Sequence, residues 1–381
     1  MRTPDVVFLV PGFLGFARLG GFYYFADRVA ATLRGHLEQE LAARVPVIPC
    51  STLPTINNSL ADRQRFLLDY FGRIVSERLE GVERLHLVGH STGGVDVQLL
   101  TCTRPLDGNA WGPDTKAVRD MIASVVTISA PHYGTGLANS RLARVGENPL
   151  AHPSAIPGLV AIAGDLLALI PREMVALAGL KVAVPNDVLK FLFQIVCNRD
   201  LIADLRPGTM ERIRKAFVSD PRPLVTCYGT GTIPRRAGER TSDPFFVELY
   251  EFTETGAAHP SGAVREQTDL LRTAVGARPD LLIRSDQAVV PDPIDPALND
   301  GIVNTVRQFL PPDVAEFGGL VVADHADVLG HYDRRDSLID GPPLNEGLFH
   351  SGAGFGDDEF FALYQRVAAA VLKGRARYAG D

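Results

Sequence analysis

Val88-Gly89-His90-Ser91-Thr92-Gly93-Gly94 is the stretch of sequence that decides the fold. It follows the short apolar run Arg84–Val88, which is typical of a strand, and it precedes Val95–Leu100, which is typical of a helix. A Gly-x-Ser-x-Gly motif in this context predicts a nucleophile elbow, a strained turn that holds the serine hydroxyl above a sheet. Glycines flank Ser91 because only they let the neighbouring backbone pass so closely. The backbone N–H of Thr92 is then expected at a helix N-terminus, where it can face a developing negative charge.

The motif alone leaves a second interpretation open, because a glycine-rich loop between a strand and a helix can also cradle a phosphate. The composition favours an ordinary globular enzyme, since 46% of the 381 residues are hydrophobic and 22% are charged. A net charge of −7, without any run of lysine or arginine, argues against a nucleic-acid partner. The four cysteines show no metal-ligand spacing, and we expect buried free thiols.

The N-terminal residues bear on the location of the protein. Met1–Asp5 leads directly into the apolar run Val6–Val10, whose length suits a strand and not a signal peptide. We therefore expect a cytoplasmic protein, or a secreted one from which a leader has been removed. No segment reaches the roughly 18 uninterrupted apolar residues of a membrane span, so no transmembrane segment is predicted.

Strand and helix patterns alternate along the chain, which predicts right-handed βαβ units and a mainly parallel sheet flanked by helices. The predicted strands are Val6–Val10, Val47–Cys50, Arg84–Val88, Ile122–Ser129, Leu224–Gly229 and Gly319–Ala323. The predicted helices are Phe25–Val45, Ser59–Leu79, the segment after Ser91, Gly262–Ala274 and Asp357–Lys373. Three further segments are expected to be a polar loop (Arg104–Asp120), a strand or part of a hairpin (Phe245–Phe252), and an irregular acidic stretch (Arg278–Asn299).

Residues 137–220 differ from the rest of the chain in composition. Two strongly apolar helical patches, Pro157–Ile170 and Val188–Val196, lie between proline breaks. We interpret residues 137–220 as a helical cap inserted into a single α/β domain that spans residues 1–381. The cap either moves and makes transient contact with a lipid surface, or it packs permanently on the core.

A serine nucleophile needs an adjacent base, and the base needs an orienting carboxylate. His325 follows the last predicted strand in a loop, which is where a base belongs, and His331 and His350 are its rivals. Asp300 is the favoured acid because Asn299-Asp300-Gly301 predicts a turn that holds its side chain. The alternatives in the same loop, which are also readable as ordinary solvated carboxylates, are Asp286, Asp292 and Asp295. A further backbone donor, Phe13, follows Pro11-Gly12 at the end of the first strand.

Five motifs together resemble the bacterial true lipases, the triacylglycerol lipase-like members of the α/β-hydrolase superfamily. They are Val10-Pro-Gly-Phe-Leu-Gly-Phe16, Gly89-His-Ser-Thr-Gly93, Ser129-Ala-Pro-His132, Asn299-Asp-Gly-Ile-Val303 and Asp324-His-Ala-Asp327. They occur in the order of that family and cover residues 10 to about 330. The resemblance implies an α/β-hydrolase fold in which Ser91 is the nucleophile, Asp300 the acid and His325 the base. It also implies that the N–H groups of Phe13 and Thr92 form the oxyanion hole.

Two positions depart from the family pattern. Pro11 stands where the family has a histidine, so the hydrogen bonds of this loop must differ. Relatives bind a structural calcium ion beside the catalytic histidine, and Asp327 matches one of its ligands. His331 stands where the family has an amide ligand, and it suits the oxygen preference of calcium badly. We therefore expect no required cofactor and no metal ligand among the site residues; a structural calcium ion stays open as an alternative but is not expected.

The resulting functional hypothesis is a serine hydrolase that cleaves carboxylic esters with lipid-like acyl chains through an acyl-enzyme. The same triad could instead transfer the acyl group to an alcohol or depolymerise a polyester. A non-catalytic binding protein with this fold is the remaining alternative. The expected partner is an ester or lipid substrate.

Overall fold

A seven-stranded sheet, parallel at every pairing, forms the centre of the computed structural model. The structure describes residues 4–13, 17–19, 22–51, 59–139, 199–235, 241–242, 244–256, 261–286, 288–289, 294–332 and 351–380. In spatial order the strands are β4 (Val47–Pro49), β1 (Asp5–Val10), β5 (Arg84–His90), β6 (Ile122–Ile128), β7 (Leu224–Gly231), β9 (Glu316–Val322) and β8 (Leu282–Ile283). A separate antiparallel pair consists of β2 (Arg18–Leu19) and β3 (Phe22–Tyr23).

Helices cover both faces of the sheet, which explains why the central strands are continuous apolar runs and not alternating ones. The described helices are α1 (Asp27–Leu41), α2 (Leu60–Arg78), α3 (Thr92–Leu99), α4 (Pro113–Asp120), α5 (Arg199–Asp204), α6 (Pro207–Ala216), α7 (Pro244–Gly256), α8 (Gly262–Ala277) and α9 (Asp357–Gly380). Short 3₁₀ turns are found at Gly136–Asn139, Pro279–Leu281, Thr305–Gln308 and Asp327–Leu329.

Alternate residues of β1 point into the two halves of the core. Val7 and Leu9 pack with the buried faces of α1 and α9, whereas Phe8 packs with α2 and α8 on the other side. Phe8 stacks on Phe71 of α2 with 4.5 Å between the ring centres. Burial of a side chain of this size contributes about 1.5–3 kcal/mol, so the two layers together hold the sheet rigid beneath the loops at its carboxyl edge.

The structure corrects three of the local predictions. Phe245–Phe252, expected to be a strand or part of a hairpin, lies within helix α7. Its buried residues Phe246, Leu249 and Thr253 recur at helical spacing, and this period outweighed the strand preference of its aromatic residues. The loop predicted at Arg104–Asp120 ends in α4, which begins at Pro113 in the first turn. The stretch Arg278–Asn299 contains β8, which pairs with β9.

The structure describes only the two ends of the predicted cap, residues 137–139 and 199–220, and both apolar patches lie outside the described residues. At the described end, Leu201, Leu205 and Met210 pack against buried residues of α2 and α3. Among the described residues, no helix is both long and apolar enough to cross a membrane. Cys50, Cys102 and Cys227 are buried free thiols, as predicted.

Candidate active site

Ser91 sits between β5 and α3 in a strained turn, with φ of 55° and ψ of −131°. The flanking glycines are required there for steric reasons. A Cβ added at Gly89 would lie 2.3 Å from the carbonyl oxygen of Gly93, and one added at Gly93 would lie 2.3 Å from that of Val10. Thr92 is the first residue of α3, so its N–H belongs to the end of the helix that lacks intrahelical partners.

Asp300 and His325 are in direct contact. The Nδ1 atom of His325 lies 2.8 Å from Oδ2 of Asp300, and the backbone N–H of His325 donates to the carbonyl of Asp300 at 3.0 Å. Because a carboxylate can only accept, Nδ1 carries the proton and Nε2 is left as the acceptor. The His325 ring also lies 4.6 Å, centre to centre, from the ring of His90, the residue before Ser91. The structure therefore brings the base and acid of the predicted triad to the turn that holds Ser91.

The carboxylate of Asp300 is fully buried and held from several sides. Its Oδ1 accepts the backbone N–H groups of Ile302 and Val303 at 3.0 and 2.7 Å. Its Oδ2 accepts the Thr230 hydroxyl at 2.6 Å and the side-chain amide of Gln308 at 3.2 Å. These contacts fix the carboxylate in the orientation that meets His325.

Thr230 and Gln308 were missed by the sequence reasoning. The two residues are also bonded to each other, because the side-chain amide oxygen of Gln308 accepts the backbone N–H of Thr230 at 2.6 Å. The Thr230 hydroxyl also lies 2.7 Å from the hydroxyl of Ser129, another non-glycine residue with a positive φ, 53°. The one available signal was position, since Ser129 and Thr230 lie at the carboxyl ends of β6 and β7.

The loop after β1 lies directly against Ser91. A Cβ added at Gly12 would lie 2.7 Å from the Ser91 Cβ and 2.6 Å from the Tyr24 hydroxyl. Phe13, the predicted oxyanion donor, follows Gly12 and is partly buried against the core. The two predicted donors, Phe13 and Thr92, thus belong to segments that flank the same serine.

The rival residues have other surroundings. The His331 ring lies 3.0 Å from the backbone carbonyls of Tyr23 and Tyr24, to which it can only donate through Nε2. Asp295 accepts the backbone N–H of Ala297 at 2.7 Å in an exposed turn. Asp286 is exposed in a turn, and Asp292 and His350 are outside the described residues.

Two buried carboxyl groups follow β9. The Oδ1 of Asp324 accepts the backbone N–H groups of Ala326 and Asp327, and the Oδ2 of Asp327 accepts the backbone N–H of Asp324 at 3.0 Å. Burial raises the pKa of Asp324 to about 6, and burial together with the charge of Asp324 raises the pKa of Asp327.

These residues do not fit a calcium ion. His331 directs Nε2 at backbone carbonyls, and the Asp327 carboxylate caps a backbone amide. Across the described ranges, no group of three or more His, Cys, Asp or Glu side chains could hold a metal ion.

Comparison with known proteins gives one sequence match. No family model matches the chain. A triacylglycerol lipase from Pseudomonas fragi is 29% identical over 156 residues, which are 40% of this chain and 44% of that lipase. The match therefore spans less than half of the relative's length.

Solved structures match over almost the whole chain. Staphylococcus hyicus lipase has a TM-score of 0.50 at 17% identity, over 99% of this chain and 98% of that one. EstA from Clostridium botulinum has a TM-score of 0.52 at 16% identity, over 97% and 87% of the two chains. Lipase 1 from Pelosinus fermentans has a TM-score of 0.52 at 15% identity, over 97% and 98%. Likenesses at such identities concern the fold, and the α/β-hydrolase fold predicted from the sequence is confirmed.

Proposed function

We propose that this protein with the α/β-hydrolase fold is a carboxylic ester hydrolase that works through an acyl-enzyme on Ser91. The observation that carries the proposal is the 2.8 Å contact between His325 Nδ1 and the buried Asp300 carboxylate, beside the strained turn of Ser91. The sequence match to a triacylglycerol lipase supports the same chemistry, and the structural likeness to two lipases concerns the fold on which it would take place.

In the proposed mechanism, Ser91 Oγ attacks the ester carbonyl carbon while its proton passes to His325 Nε2. Asp300 stabilises the imidazolium and holds the ring in the correct tautomer. Collapse of the tetrahedral intermediate breaks the ester bond, and His325 returns the proton to the leaving alcohol. Water then attacks the acyl-enzyme with His325 again as base, which releases the carboxylic acid and restores Ser91.

The developing oxyanion is stabilised by the backbone N–H groups of Phe13 and Thr92. The N–H of Thr92 lies at the N-terminus of α3, where the helix dipole favours negative charge. Such donors reduce the barrier strongly because they are in place before the reaction begins. No cofactor takes part, so treatment with a chelator such as EDTA should leave the rate unchanged.

The proposed substrates are esters with lipid-like acyl chains, and the cap over residues 137–220 makes the transient contact with lipid. In that contact, the apolar side chains of the cap would pack against lipid in place of the protein core. Activity should rise steeply as a short-chain ester passes its solubility limit. Smooth saturation through that limit would instead indicate an esterase that acts on dissolved substrates.

The proposed function is tested with p-nitrophenyl esters from acetyl to palmitoyl, with and without an added alcohol, and with Ser91→Ala protein as the blank. We expect hydrolysis well above the blank and a preference for longer chains. Ester product formed faster than acid would favour acyl transfer to an alcohol. Rates equal to the blank on every ester would contradict the proposal and favour a binding protein.

A further inference from the structure

A chain of buried contacts joins the loop after β1 to the loop that carries the base. The Tyr24 hydroxyl lies directly against Gly12, where an added Cβ would be 2.6 Å from the hydroxyl oxygen. That hydroxyl lies 2.7 Å from Nδ1 of His90, and Nε2 of His90 lies 2.9 Å from the backbone carbonyl of His325. Tyr24 and His90 are almost completely buried, so water does not compete for these contacts.

The carbonyl of His325, at one end of this series of contacts, fixes the direction of each hydrogen bond in it. The carbonyl of His325 can only accept, so His90 carries its proton on Nε2 and accepts through Nδ1. Tyr24 must therefore donate to His90, and its oxygen packs against Gly12. Burial holds the pKa of His90 well below its usual range and raises the pKa of Tyr24, so both groups stay neutral in the working enzyme.

The chain acts on both sides of Ser91. Gly12 packs against Ser91, and its backbone is continuous with the peptide that carries the Phe13 N–H. Pro11, which precedes Gly12, has no N–H with which to anchor the loop. At the other end, His90 supports the backbone of His325 itself, in addition to the side-chain contact with Asp300.

We infer that Tyr24 is a positioning residue for the reaction. Through His90 it holds the oxyanion loop at Gly12–Phe13 in a fixed position relative to the backbone of His325. The contacts that carry this role are those with Gly12 and His90, and Tyr24 is assigned no step in the chemistry. It acts by holding two segments that are far apart in sequence at a constant separation across the nucleophile. The inference rests on the proposed ester hydrolysis and assigns the anchor of the oxyanion loop to a tyrosine that carries no part of the triad.

The test replaces Tyr24 by Phe, which keeps the ring and removes only the hydroxyl. We expect kcat on p-nitrophenyl butyrate to fall about tenfold, while KM stays within about twofold, because the lost bond matters for the transition state and not for substrate binding. Affinity for 1-butaneboronic acid, which forms a tetrahedral adduct with the serine, should fall by a similar factor. A fluorophosphonate probe that counts reactive serines should label both proteins to the same extent.

Tyr378→Phe is the matched control, because it removes a hydroxyl that donates to the carbonyl of Asp120 at 2.7 Å, far from the site in the fold. It should keep wild-type kcat. His90→Phe removes both ring nitrogens, so it cuts the same chain at its middle and serves in place of Tyr24→Phe if that variant does not fold. If Tyr24 and His90 act as a unit, the double variant should lose little more than the worse single one.

A Tyr24→Phe enzyme with wild-type kcat would overturn the inference. So would a loss of kcat that a lower count of reactive serines explains, or one that the boronic acid affinity does not follow. An inactive wild-type protein would instead overturn the proposed function and the inference with it, so the two failures are distinguishable.

Discussion

Ser91 and Ser129 both hold a positive φ, 55° and 53°, and both follow neighbouring parallel strands. A non-glycine residue in such a conformation costs about 1–3 kcal/mol, which the surrounding packing must offset. The conformation of Ser91 places it at the carboxyl edge of the sheet, and Ser129 places its hydroxyl beside Thr230. The strain thus lies where the proposed chemistry needs side chains in fixed positions.

Ser91→Ala should lower turnover of p-nitrophenyl butyrate by roughly a million-fold, because the nucleophile and the base act as a unit. His325→Ala should be as damaging, while Asp300→Ala leaves somewhat more activity because an orienting carboxylate contributes less. His331→Ala is the control and should retain most of the activity. The measurement is steady-state kcat, and an active His325→Ala enzyme beside an inactive His331→Ala enzyme would show that the base is misplaced.

Thr230→Val should lower kcat about tenfold, because a buried carboxylate loses a donor that no water can replace. The same change should reduce the free energy of unfolding by about 1–3 kcal/mol, measured by urea denaturation. Thr268→Val is the matched control, since its hydroxyl donates to the Val264 carbonyl within α8 at 2.7 Å. Equal kcat values for Thr230→Val and Thr268→Val would show that Thr230 does not orient the acid.

At the scale of elements, the sequence was informative where a continuous apolar run or a helical period of 3.6 extends over several residues. Six of the seven strands of the main sheet and the main helices could be predicted because each buries a continuous face against its neighbours. Helix α7 could not, since its aromatic residues favour a strand locally and only packing decides between the two periods. The two-residue strand β8 is defined by its pairing with β9, which no local pattern reveals.

The contrast between local sequence patterns and long-range contacts also explains which residues of the site could be predicted. Asp300 and His325 occur in short motifs, so both could be proposed from the sequence, and their triad roles remain predictions until activity is measured. Gln308 and Tyr24 act through contacts with segments that lie 78 and 66 positions away in sequence. No spacing rule connects such pairs, and a threonine or a tyrosine in isolation is more often an ordinary core residue.

The junction of β5 and α3 depends on close backbone packing, which gives a prediction about this element. Gly93→Ala should destabilise the protein by about 1–3 kcal/mol or more, because the new Cβ would meet the backbone oxygens of Val10 and Pro11 at 2.3 and 2.4 Å. Gly35→Ala in α1 is the matched control, since nothing lies within 4 Å of its Cβ position. That change should stabilise by about 0.5–1 kcal/mol, as alanine favours helix.

Both glycine variants are measured by thermal and urea unfolding at equal protein concentration. A Gly93→Ala protein as stable as Gly35→Ala would mean that α3 can shift away from β1 without loss.

At the scale of the whole molecule, Asp5 connects the first strand to distant parts of the chain. Its carboxylate accepts hydrogen bonds from Arg84 of β5 at 2.6 Å and from Arg375 of the terminal helix α9 at 3.0 Å, and His86 lies 3.3 Å away. Burial alone would raise the pKa of Asp5, but these hydrogen bonds hold it well below its usual range. The network lies at the amino edge of the sheet, opposite the candidate site.

A pKa that is lower in the folded state contributes stability above the unfolded value of about 3.9, and that stability is lost as the pH falls through the folded value. The free energy of unfolding should therefore decrease from about pH 5 downwards. Asp5→Asn should be less stable near neutral pH and should show a shallower decrease. Glu83→Gln, which changes an exposed carboxylate beside Arg84, is the control. Parallel pH profiles of wild type and Asp5→Asn would exclude this role.

The two outermost strands of the sheet are short, since β4 has three residues, one of them Pro49, and β8 has two. Proline has no N–H to donate. Strands of two or three residues also leave few unpaired backbone N–H and C=O groups at either edge of the sheet. At the two described edges of this sheet, a second molecule therefore finds no long template for adding a strand of its own. Concentrated solutions of the folded protein should therefore resist amyloid-like association. Aggregation through strand pairing should be confined to molecules in which the sheet has unfolded.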